Sequence, residues 1–120
     1  MKPEQQRAIL EAAAKACGVH LLWHERWGCF YNYNKRHESK DFQEWNPITN
    51  SSDTASMCAK LDINTFFYHS IKRVECWSDD HGDEQTIRHT TAHNGTDAGK
   101  EAAWRLAASV VAAKVGGYSE

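Results

Sequence analysis

The chain has 120 residues, 41% hydrophobic and 25% charged, with a formal net charge of −2. That length fits one domain whose core is large enough to need no staple. The composition is ordinary for a soluble globular protein, and the near-neutral charge argues against a partner held by bulk electrostatics, whether nucleic acid or membrane, and against a heavily acidic DNA mimic.

The opening stretch MKPEQQRAIL lacks the apolar core of a signal peptide. No run approaches the ~20 apolar residues of a membrane span, so the expected location is the cytoplasm. Cys17, Cys29, Cys58 and Cys76 are scattered without paired spacing, which predicts buried free thiols in a reducing compartment. Five tryptophans are many for this length, and an excess suits either a core or a contact surface.

In chain order, residues 3–17 predict a helix. Pro3 fits the first helical position, Ile9, Leu10, Ala13, Ala16 and Cys17 form one apolar stripe, and Gly18 is a stop. Arg7, Glu11 and Lys15 share the polar face at i, i+4 spacing. The aromatic run 19–33 predicts a strand near 20–24, a turn over 25–28 and a strand near 29–33. Residues 34–44 are polar, aperiodic and read as a long loop.

Residues 45–61, WNPITNSSDTASMCAKL, are the most structured signal in the chain. Trp45 is an aromatic anchor, and Pro47 keeps Asn46 out of the helical region. Asn50, Ser51 and Ser52 supply capping oxygens, and Asp53 suits a first turn. Thr54, Met57, Cys58 and Leu61 then share one face of a helix over 53–61. Residues 62–70 predict a strand with Phe66 and Tyr68 on one face and Thr65, Phe67 and His69 on the other. Residues 71–78 are a second strand or the continuation of a bent one. The segment 79–84 is a turn, and 85–93 a half-polar strand antiparallel to 71–78. Thr96 or Asp97 caps a last helix that buries Ala103, Leu106, Ala107, Val110, Val111 and Ala113 and stops at Gly116-Gly117.

The order Trp45-Asn46-Pro47, polar turn, short helix to Leu61, β meander and final Ala/Val helix from Asp97 resembles the phage ABA sandwich domain, a family of small phage and prophage proteins of mostly unknown role. Trp45 to Leu61 is the specific part and 104–116 the supporting part; together they cover about half the chain. The resemblance implies a central antiparallel sheet with helices on its faces, in a phage gene product acting inside the bacterial host. It carries no catalytic residues.

Several constellations suggest chemistry. Tyr31, Tyr33, Lys35, Arg36, His37 and Lys40 interleave rings and positive charge, as a strip for a nucleotide or single-stranded nucleic acid would. Trp27, in a turn beside Gly28, is a candidate binding anchor. Asp79, Asp80, Asp83 and Glu84 crowd one turn, an anionic patch for a basic partner, though their spacing misses the calcium-loop pattern. The pairs His20/His24 and His89/His93 have helical zinc spacing but fall in predicted strands. Four strand residues span ~13 Å, too far for one ion. No local signature supports a cysteine nucleophile.

The fold expected is therefore α+β: one domain, an antiparallel sheet of about four to five strands flanked by helices, an α/β/α sandwich. The leading functional expectation is a non-enzymatic phage accessory protein without cofactor. It binds a host protein, with inhibition of a host defence system such as CRISPR as one form of that role. A nucleotide or single-stranded nucleic-acid binder using 31–40 is the alternative, and a small metal-dependent enzyme the third reading.

Overall fold

The computed structural model describes residues 1–26, 28–32, 44–79 and 86–119. The fold is α+β: the described residues form three helices and five strands in two antiparallel sheets. The elements are α1 (Pro3–Cys17), β1 (Leu21–His24), β2 (Cys29–Asn32), α2 (Ser51–Leu61), β3 (Asn64–Tyr68), β4 (Arg73–Ser78), β5 (Ile87–Ala92) and α3 (Asp97–Val115).

Helix α3 is the centre of the molecule. It lies on one face of the β3-β4-β5 sheet, and α1 and α2 pack against it in turn. From Ala107 to Ala113 every residue of α3 is buried, Ser109 included. A helix surrounded on several sides must be apolar all round. The Ser109 hydroxyl meets this demand by donating to the Arg105 carbonyl at 2.7 Å. This is why Ala108 and Ala112, off the predicted stripe, are as buried as Ala107, while Leu106, on it, is only half-buried.

Helix α1 starts at Pro3, ends at Gly18 with φ 70°, and buries Ile9, Leu10, Ala13, Ala14 and Cys17. It approaches α3 closely: a Cβ placed on Gly116 would collide with the Ala12 carbonyl. The β1–β2 hairpin is tied to α1 by Arg7. Its guanidinium sits 4.4 Å from the Trp23 ring centroid and 5.7 Å from that of Phe30 while bonding Glu11 at 3.3 Å. Trp23 and Phe30 meet edge to face at 4.9 Å.

The turn after Trp45 is held by side chains. The Asn46 Oδ1 accepts from the Ile48 N–H at 3.0 Å, and Asp53 accepts from the Asn46 N–H at 2.9 Å. Thr54, fully buried, donates to the Pro47 carbonyl at 2.7 Å. Asn50 is the cap of α2, accepting from the Asp53 N–H at 3.0 Å, so the helix begins at Ser51, two residues before its expected start. Trp45 and Pro47 are buried, and Leu61 is half-buried against the core.

The strands depart from the expected single sheet in their grouping. Among the described residues, β1 and β2 form their own two-stranded sheet with a bridge from Tyr31 to Glu44, while β3, β4 and β5 form the second in that order. The hairpin is held to α1 through Arg7 and its two rings. Segments 62–70 and 71–78 are two strands, separated by a turn in which Lys72 takes φ 52°. β4 pairs antiparallel with β5, as expected, from Arg73↔Ala92 to Ser78↔Ile87. Among the described residues, helix packing covers one face of the β3-β4-β5 sheet, and the other carries exposed side chains.

Among the described residues, no helix is long and apolar enough to cross a membrane. All four cysteines are free. Cys17 and Cys76 are buried, but Cys58 and Cys29 are only partly so, which corrects the expectation of four buried thiols.

Candidate interaction surface

Strand alternation divides the β3-β4-β5 sheet into two unlike faces. The inner face carries Thr65 and Phe67 from β3, Val74, Cys76 and Ser78 from β4, and Ile87, His89 and Thr91 from β5, turned toward α3. Val74 and Cys76 are completely buried there. The outer face carries Asn64, Phe66 and Tyr68, then Arg73, Glu75 and Trp77, then Arg88, Thr90 and Ala92.

That outer face is where large apolar groups meet solvent. Phe66 is 53% exposed and Tyr68 38%, and Ile71, in the adjoining turn, is 61% exposed. The two rings lie 4.8 Å apart, tilted by 57°. A polar chain crosses all three strands beside them: the Tyr68 hydroxyl donates to Glu75 at 3.2 Å, and Arg88 pairs with the other oxygen of Glu75 at 3.6 Å. Glu75 raises the Tyr68 phenol above its ordinary pKa, by its charge and by accepting that hydrogen bond. Tyr68 is thus a fixed, neutral ring. Exposed aromatic rings beside arginine on a rigid sheet are the composition of an interface hot spot.

Of the sequence-derived candidates, Trp27, Tyr33, Arg36, His37, Lys40, Asp80 and Asp83 lie outside the described residues. Tyr31, in β2, is half-buried, with its ring 6.2 Å from His24 in an edge-to-face arrangement. Asp79 is exposed and accepts from the Thr86 hydroxyl at 3.4 Å. With Cys58, Ala59, Asp62, Ile63 and Asn64 it lines an open cleft of about 350 Å³. Burial and the neighbouring Cys76 and Cys17 push the Cys58 thiol up to about 12, away from the thiolate form. Among the described residues no three His, Cys, Asp or Glu side chains converge as a metal site. His24 lies in β1, and His89 in β5 with His93 just beyond it, so neither pair has the helical geometry its spacing suggested.

The Phe66–Tyr68 surface was missed in the sequence because both faces of that segment carry aromatic residues. Alternation shows that Phe66 and Tyr68 share a face; it does not show which face α3 covers. No family model, curated protein or solved structure matches the chain.

Proposed function

We propose that this chain is a non-enzymatic binding protein that docks a protein partner on the open face of its three-stranded sheet. The observation that carries this is the pair Phe66 and Tyr68, exposed on a helix-free face and braced by the Tyr68–Glu75–Arg88 chain. Glu75 favours protein over nucleic acid. It stands at the centre of the face beside Arg73 and pairs with Arg88, so a phosphate backbone would meet a carboxylate between the two arginines. In the setting that the Trp45–Leu61 resemblance implies, the protein is a phage or prophage accessory acting inside the bacterial host. Its partner is then a host protein, and blocking a defence system such as CRISPR is one such role.

The test is capture from bacterial lysate with wild type and with Phe66→Ser and Arg88→Glu, with and without nuclease. A host protein retained stoichiometrically by wild type and lost from both variants, whatever the nuclease treatment, is expected. Capture unaffected by either substitution, or no stoichiometric partner, sinks the proposal; nuclease-sensitive retention replaces it with nucleic-acid binding.

A further inference from the structure

The edges of the β3-β4-β5 sheet differ. An exposed strand edge is a row of unpaired backbone groups, which proteins usually blunt with charge, proline or a covering element. At the β5 edge, the Lys114 ammonium, from the covering helix α3, donates to the Arg88 carbonyl at 3.2 Å. At the β3 edge no such device is seen among the described residues: Asn64-Thr65-Phe66-Phe67-Tyr68 contains no charge and no proline, and no described strand lies beyond it.

The pairing pattern fixes which groups on that edge are free. The His93 N–H bonds the Lys72 carbonyl at 2.9 Å. These residues stand opposite each other in the β4–β5 register, so Lys72, Val74, Cys76 and Ser78 direct their backbone groups to β5. Arg73, Glu75 and Trp77 then bond β3, through Tyr68, Phe66 and Asn64. Thr65 and Phe67 are left with N–H and C=O pointing away from the sheet.

We infer that the chain pairs with a second copy of itself, β3 against β3 antiparallel, about a two-fold axis at Phe66. That register sets Thr65 opposite Phe67 of the partner subunit, each with both backbone groups free, so four new hydrogen bonds form. It matches the full strand, sets no like charges against each other, and apposes the exposed Phe66 rings in the closer, non-hydrogen-bonded kind of pair. Shifting by one residue would set free groups against bonded ones. The product is a continuous six-stranded sheet whose outer face stays open, with the exposed rings of both copies side by side.

The experiment is sedimentation velocity across a concentration series of the full chain, with amide hydrogen exchange at Thr65 and Phe67. A monomer–dimer equilibrium is expected, with these two amides becoming protected as the dimer forms. Thr65→Pro removes an outward backbone donor from the strand edge and the hydroxyl that contacts Cys76 Sγ at 3.4 Å, and leaves the β3–β4 ladder bonds in place. It deletes two of the four bonds in the symmetric pair and weakens association by roughly tenfold or more. Phe66→Lys, at an exposed position, sets two ammonium groups against each other and gives monomer. A chain that stays monomeric at every concentration, a dimer whose Thr65 and Phe67 amides exchange freely, or a dimer that survives both substitutions overturns the inference. Thr65→Pro keeps both outer-face rings, so loss of the dimer with intact partner capture separates this result from the fate of the proposed function.

Discussion

Thr54 shows how much one side chain holds in this protein. It is fully buried, and its hydroxyl donates to the Pro47 carbonyl at 2.7 Å and contacts the Asn50 carbonyl at 3.0 Å. Thr54→Val keeps the shape and leaves a buried carbonyl unmatched, so urea unfolding should show a loss of about 1–3 kcal/mol. Cys58 gives a pH signature instead. Its thiol is raised from an ordinary 9.0 to about 12 by burial first and by Cys76 and Cys17 next. The folded state therefore holds a proton that the unfolded chain releases. The contribution is present in full below pH 9.0 and is lost as the pH climbs toward about 12. Urea midpoints should fall as the pH rises above 9.0, and Cys58→Ala should flatten the fall.

The helices were largely legible because each carries its own start and stop. Pro3 and Gly18 bracket α1, Asn50 caps α2 and Thr96 caps α3, and these are local backbone effects that need no tertiary partner. How tightly the helices approach each other was not legible. Gly116 reads in the sequence as a stop, yet it is also the point where α3 meets the Ala12 backbone of α1. Gly116→Ala should cost about 2 kcal/mol or more by forcing those backbones apart, visible as a lower thermal midpoint. Gly117→Ala is the informative contrast. At φ 99° with open space around it, it costs backbone strain without moving α1.

At the scale of the whole molecule, layering decides which side chains meet solvent. One sheet face is spent on α3, and the other is left to solvent with Phe66 and Tyr68 on it. Residues kept for contact rather than for the core should be cheap to replace in the isolated protein. Phe66→Ser should therefore stay within about 0.5 kcal/mol of wild type in denaturant unfolding while partner capture is lost. A large loss of stability would instead make Phe66 part of the fold and remove it from the proposed interface.

Element type was written in the chain itself: proline and glycine punctuation, capping oxygens and the switch between helical and alternating periods act within a few residues. Three helices and four to five strands followed from those local signals, near the positions found among the described residues. The division into two sheets, the open side of β3-β4-β5 and the burial of α3 nearly all round did not. These depend on which apolar surface wins the limited contact area of α3, a competition among segments far apart in sequence. Alternation in β3 offers two aromatic faces, and only packing against the core turned Phe67 inward and left Phe66 and Tyr68 exposed.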